Sequence, residues 1–166
     1  QCHESVLAQS EPCLHVLVAD GHPRPRLIGC YHAIGLGVDA VAFLDADNWY
    51  GPNHIADLLA AMDEENADFV SSGRTLCRLD GSEMGACPLT DPERFIDTNA
   101  MLFGRQAFHQ LHHWVLMPSY GHLIGDRIML NHVKRSNLKR HHLNQGSVFY
   151  RCAKEGLYRQ MGELIP

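Results

Sequence analysis

The chain has no long apolar run. Its longest, residues 38–44, is interrupted by Asp39, whereas a bilayer-spanning helix needs about 20 apolar residues in succession, so no membrane span is expected. Basic excess is lacking too: fourteen Lys+Arg stand against nineteen Asp+Glu, for a formal net charge of -5. Without an overall positive field, nucleic-acid binding as the main function loses its electrostatic basis, although local basic patches remain open. Residues 1–10 lack the basic start, apolar middle and small-residue cleavage site of a signal peptide, and the compartment expected is cytoplasmic. Cys2, Cys13, Cys30, Cys77, Cys87 and Cys152 form no C-x-x-C pair and no zinc-ribbon spacing, so they read as reduced thiols. Six cysteines would permit three disulfides, but a chain of 166 residues with ample Val, Leu and Ile does not need them. Repeats, low-complexity runs and linkers are absent, which leaves one domain over residues 1–166.

Histidine is what the chain has in excess, at twelve residues. His112-His113 and His141-His142 are adjacent pairs, while His109 and His113 have the i, i+4 spacing that puts two imidazoles on one helical face. With two ligands and no H-E-x-x-H context, ordinary surface or half-buried histidines are the expectation.

Apolar runs alternate with helix-like segments, the pattern of an α/β fold with a mostly parallel open sheet and helices on both faces. Residues 14–19 read as a strand ended by Asp20-Gly21, and residues 26–36 as a helix. Residues 40–44 form a second buried strand that stops at Asp45. Gly51-Pro52 opens a helix in which Ile55, Leu58, Leu59 and Met62 recur at helical spacing. A third strand is expected over 67–72, a long surface loop over 80–93, a strand over 99–103 and a helix to about His112. A break follows at 118–121, then a helix over 123–134 with Asp126 in its first turn. Weaker edge strands at 138–143 and 147–151 precede a short final helix.

The strongest chemical signal is Phe43-Leu44-Asp45-Ala46-Asp47-Asn48. A buried strand that runs out into two acids places both carboxylates at the carboxyl end of the sheet, where ligands of open α/β folds bind. Two neighbouring carboxylates repel, and Mg²⁺ or Mn²⁺ with phosphate oxygens is the usual remedy. The competing interpretation is an Asp/Asn-rich turn before the next helix. Trp49 and residues 114–117 are candidates for stacking on a sugar ring, against simple packing. Tyr120, Gly121 and His122 lie in a loop able to close over a ligand. The basic stretch Lys134, Arg135, Lys139, Arg140, His141 and His142 fits either an anion or lipid surface or, more simply, a solvated face.

The succession from Val16 through Asp20-Gly21, the run from Val38 to Asp47, Gly51-Pro52 with its amphipathic helix, Asp97 to Arg105 and finally Gly125-Asp126-Arg127 resembles a GT-A-fold glycosyltransferase of the family 2 group. The resemblance spans about residues 1–151. It implies a Rossmann-like nucleotide-sugar-binding half over 1–72 and an acceptor-side half over 94–151. The family opens with a further strand, and this chain starts at what reads as the helix after it; the connection after Asp20-Gly21 is also shorter than the family's.

By the same resemblance Asp20 contacts the nucleoside, and Asp45, Ala46, Asp47 and Trp49 bind the donor, a UDP- or GDP-sugar. Asp47 and Asp45 hold a divalent metal, Mn²⁺ or Mg²⁺, with Asp47 the direct ligand. Asp126 is the general base for an acceptor hydroxyl in an inverting hexosyl transfer, and Asp97 is a second acid near the acceptor. A carboxylate in a first helical turn is held ionised by the helix dipole, in keeping with that role. Where relatives place a late metal-binding histidine this chain has Tyr150, which leaves His141 or His142 as substitutes. Peripheral membrane contact is compatible with such a partner set. Two alternatives stand beside it. A haloacid-dehalogenase-like phosphohydrolase would use Asp45 as nucleophile and Asp47 as acid/base, but its further acid would fall at Leu130. The other is a non-catalytic nucleotide-sugar-binding domain.

Overall fold

The computed structural model describes residues 1–18, 24–118, 121, 124–153 and 155–162. Its strands are β1 (Ala40–Ala42), β2 (Trp49–Tyr50), β3 (Phe69–Cys77), β4 (Glu83–Ala86), β5 (Met101–Gly104) and β6 (Arg140–Arg151). The helices are α1 (Cys2–Leu7), α2 (Arg24–Gly35), α3 (His54–Glu64), α4 (His113–Leu116), α5 (Gly125–Arg135) and α6 (Glu155–Gln160), with 3-10 turns at Thr98–Ala100 and Arg105–Gln110.

Helix α3 forms where the apolar spacing places it and buries Ile55, Leu58 and Ala61. It ends at Asn66, whose φ of 48° is the left-handed stop that Asn tolerates, with the Ala67 N–H donating to the Met62 carbonyl at 2.8 Å. The core beneath gathers Phe43, Phe69, Phe103 and Trp114, with edge-on ring pairs Phe43–Phe103 at 6.0 Å, Phe43–Trp114 at 5.9 Å and Phe69–Phe103 at 5.0 Å.

The sheet runs β1-β5-β3-β6-β2, with β4 paired to β3. It is mixed rather than mostly parallel: β3 and β6 run parallel, and the other described pairings are antiparallel. The reason is an insertion. Strands β1 and β3 flank α3 and point the same way, as a strand–helix–strand unit should, but β5 lies between them antiparallel to both. Periodicity reports which segments are strands and says nothing about which strand slots between two others.

Other local expectations shift as well. Residues 14–18 form no strand, and Leu14, Leu17 and Val18 are exposed, because no neighbouring strand pairs with them among the described residues. The loop after β3 contains β4, joined by a tight turn in which the Arg78 N–H donates to the Ser82 carbonyl at 2.8 Å and Gly81 takes a φ of 90°. The two edge strands expected at the C-terminal side are one continuous strand, β6, lying inside the sheet between β3 and β2.

Strands β3 and β6 shift register between Ser72 and Arg74, with Gly73 on β3 facing Gln145 and Gly146 on β6 facing Arg74 and Thr75. A Cβ on Gly146 would stand 2.7 Å from Thr75 Oγ1 and 3.2 Å from the Arg74 carbonyl carbon, and one on Gly73 would stand 3.1 Å from the Gln145 carbonyl oxygen. A glycine on each strand therefore permits the close approach at the irregularity. None of the six cysteines is in a disulfide. No described helix is long and apolar enough to cross a membrane.

Candidate active site

Strand β1 runs out through buried Phe43 to Asp45, and the end of that run is pinned by three hydrogen bonds with two residues. The Asp45 N–H donates to Asn99 Oδ1 at 2.5 Å, Asn99 Nδ2 donates to Asp45 Oδ2 at 3.2 Å, and Arg26 Nη2 donates to Asp45 Oδ1 at 2.6 Å. Arg26 in turn lies over the Trp114 ring at 4.9 Å. The turn that follows closes through the Asn48 N–H to the Asp45 carbonyl at 3.0 Å, while buried Asn48 accepts the Arg151 N–H at 3.0 Å and ties the turn to β6. Ala46 and Asp47 are left exposed at its tip.

Asp97 starts the Thr98–Ala100 turn and is buried. Its Oδ1 accepts the Asn99 N–H at 2.9 Å and Asn99 Nδ2 at 2.6 Å, and its Oδ2 accepts Arg74 Nη1. Asn99 thus connects the Asp45 and Asp97 carboxylates, as an amide with both donor and acceptor ends can. The buried Arg74 guanidinium lies over Tyr150 at 4.2 Å and Phe95 at 5.0 Å.

Asp126 is the second residue of α5, half-buried, and its Oδ1 accepts the Arg127 N–H at 2.8 Å. Burial pushes its pKa up. The neighbouring Asp97 adds to that rise, whereas the Arg127 backbone N–H, Arg74 and Arg127 oppose it. The helix start does favour the ionised form, as the sequence suggests, but loss of water outweighs it.

Asp45, Asp97 and Asp126 come together with Arg26, Thr98, Gly125 and Tyr150 around a polar cleft of about 160 Å³. A larger hollow of about 240 Å³ beside Leu59, Met62 and Gly104 holds none of the expected site residues. Asp47 and Trp49 do not line the cleft, and Asp20 lies outside the described residues, as do Tyr120 and His122.

Both tryptophans pack against neighbouring side chains. Trp49, half-buried, stacks on Phe149 at 5.5 Å with 7° between the rings and carries Arg151 at 5.3 Å. Trp114 is 1% exposed and backs Arg26 and Gly125, which corrects its candidacy for sugar stacking. Neither His141 nor His142 replaces the late histidine. His142 pairs with Ser71 and its Nδ1 meets Ser71 Oγ at 2.9 Å, eight residues before Tyr150 in β6, or about 26 Å along an extended strand. His113 stacks on His132 at 3.5 Å rather than pairing with His109.

Among the described residues no cluster of three or more His, Cys, Asp or Glu is arranged to hold a metal ion. Magnesium-type ions in phosphate chemistry need less, since one or two carboxylates suffice beside phosphate oxygens and water. Asp47, exposed and without a hydrogen-bond or ion-pair partner among the described residues, fits that sparse donor set. Asp45 fits it poorly, because both of its oxygens already accept protein donors.

Arg26, Arg74 and Asn99 were not singled out by sequence. For Arg74 a signal existed: a lone guanidinium inside the otherwise uncharged strand Phe69–Cys77, buried at nearly every position.

A strand-end acid, Asp45, facing a helix-start carboxylate, Asp126, across a polar cleft on an α/β sheet fits the arrangement of a GT-A glycosyltransferase domain. The model of glycosyl transferase family 2 matches residues 7–133, and the chain belongs to that family. No curated protein matches it.

Proposed function

We propose that the protein transfers a sugar from a nucleotide-sugar donor, a UDP- or GDP-hexose, to an acceptor hydroxyl with inversion at the anomeric carbon. The observation that carries this reading is that Asp45 and Asp126, distant in sequence, line one cleft, and that Asp126 is held half-buried at a helix start. Residues 1–72 would serve the donor and 94–151 the acceptor. Asp45, fixed by Arg26 and Asn99, orients the donor, and Asp20 is proposed to meet the nucleoside.

Asp47 would hold a divalent ion, Mn²⁺ or Mg²⁺, which when bound neutralises negative charge on the diphosphate. Asp126 removes the hydroxyl proton as the acceptor oxygen bonds to the anomeric carbon. On the opposite face the bond from that carbon to the diphosphate oxygen breaks, and the nucleoside diphosphate leaves. A pKa lifted by burial makes Asp126 a stronger base than an exposed carboxylate, a direct benefit in general-base catalysis. The phosphohydrolase alternative falls with the family assignment. Its nucleophile would be Asp45, whose oxygens are engaged. The cytoplasm, where nucleotide sugars are available, is the proposed site of action.

The test is thermal stabilisation by UDP-, GDP- and ADP-sugars with Mn²⁺ or Mg²⁺, followed by transfer assays on the sugars that bind. Asp47→Ala is expected to abolish metal-linked stabilisation. Asp126→Asn is expected to keep it and to lower kcat by about 10²–10⁴-fold, the usual worth of a general base. Stabilisation by none of the sugars would sink the transferase reading, and full turnover in Asp126→Asn would remove the base from its role.

A further inference from the structure

We propose that Arg74 and Asp97 act as a positioning pair whose opposite charges, locked together behind the cleft, set the proton affinity of Asp126. Sequence placed Asp97 among the candidate catalytic acids, and the geometry argues for a different task. Its Oδ1 accepts two donors from Asn99 and its Oδ2 accepts the guanidinium of Arg74. A carboxylate so engaged is poorly placed to take a proton from a substrate.

The pair is buried, with side chains 5% and 8% exposed. Replacing such an ion pair by neutral groups is often harmless to stability, so its presence in a cleft wall calls for another reason. Arg74 is also held from both neighbouring segments. Tyr150 of β6 and Phe95 lie against its guanidinium, and Phe95 makes the same kind of contact with Arg127, the residue after Asp126, at 5.6 Å. The pair and the base therefore share a wall.

Among the described residues, the charged and titratable groups around Asp126 are Arg127 on its own helix, Asp97 before the 3-10 turn and Arg74 on β3. Arg26 of α2, Asp45 after β1 and Tyr150 of β6 complete the cleft. Of these, Asp97 favours the protonated base and Arg74 the ionised one. In a partly dehydrated wall charges act more strongly than in water, and these two act in opposite directions. Removing either charge alone should leave the other to act on Asp126 unopposed, and in opposite directions.

The inference rests on Asp126 as the base, but its test needs neither donor nor acceptor. The ¹³C resonance of the Asp126 carboxyl, assigned by its loss in Asp126→Asn, is followed against pH in the protein, Asp97→Asn and the double variant Asp97→Asn/Arg74→Gln. The expected result is a midpoint that moves to lower pH in Asp97→Asn, because Arg74 acts alone, and returns upward when Arg74→Gln is added. Arg74→Lys, which keeps the charge, should stay near the parent midpoint. Amide spectra check that each variant is folded, and the double variant carries no unpaired buried charge, which protects the comparison.

A scaffold role alone would give no shift, or shifts of one sign, and either pattern overturns the proposal. If the titrations behave as expected while no sugar transfer is found, the transferase reading fails and the pair stands. If transfer is found but the midpoints do not move oppositely, the pair falls and the reading stands.

Discussion

Asn99 shows how much one amide can hold. It is 1% exposed, and it accepts the Asp45 N–H while donating to both the Asp45 and Asp97 carboxylates. Asn99→Ala would strand a backbone donor and remove a hydrogen bond from each acid. Because buried polar groups left unpaired cost about 1–3 kcal/mol, the variant's unfolding free energy from urea titration should fall by that amount. Arg26 makes the opposite case. Its ion pair with Asp45 is 32% and 44% exposed on the two sides, so the charge contact adds little to stability. Arg26→Gln is expected to leave the unfolding free energy from urea titration within about 0.5 kcal/mol of the parent while weakening binding of the proposed donor in the thermal-shift assay. A fall in stability as large as that of Asn99→Ala would contradict this division of labour.

At the scale of elements, the glycine crossing between β3 and β6 decides where Arg74 and Tyr150 stand. Gly146→Ala puts a methyl against Thr75 Oγ1 and the Arg74 backbone, and neither strand can yield without breaking the parallel ladder. Overpacking of this kind costs about 1–3 kcal/mol. The same variant should displace the Tyr150 ring from Arg74, which ring-current shifts in a proton spectrum would register. An unchanged spectrum and midpoint would show that the strands have slack there.

The Asp45 strand end and the Asp126 helix start were legible in sequence because each is local: an apolar run that stops at an acid, and a break followed by a charged first turn. Arg74, Asn99 and the burial of Asp97 were not, because their meaning comes from β5 slotting beside β3 and from β3 meeting β6. No window of neighbouring residues contains those pairings. The overestimated parallel content has the same origin.

For the whole molecule, the histidine excess acquires a physical consequence without a metal. Burial lowers the pKa of His54 from 6.5 to about 3, and burial with the neighbouring His132, His112 and His109 lowers that of His113 to about 4. His132 and His142 are also lowered, chiefly by burial. His54 stacks on Tyr50 at 4.1 Å, and its Nδ1 meets Ser147 Oγ at 2.7 Å. Neutral imidazoles are what the folded state accepts, so below pH 6.5 the unfolded chain binds protons that the folded chain refuses. Stability is therefore full above that pH and falls as pH drops toward 4 and then 3. For His54 the loss by pH 3 is on the order of 4 kcal/mol. Calorimetry from pH 7 to 4 should show a steadily falling Tm, and His54→Gln should flatten that slope. A Tm independent of pH over this range would refute the assignment.

The parallel pairing of β3 with β6 joins residues such as Val70 and His141, and closing so long a loop carries an entropic cost that slows folding. Arg74 and Tyr150 stand on opposite sides of that seam. No intermediate that has yet to zip it possesses a cleft, and any nucleotide sugar that binds there recognises a chain that has finished folding. A nucleotide sugar, if it binds there as proposed, should accordingly slow unfolding while leaving the folding rate unchanged, a kinetic lock on the completed sheet.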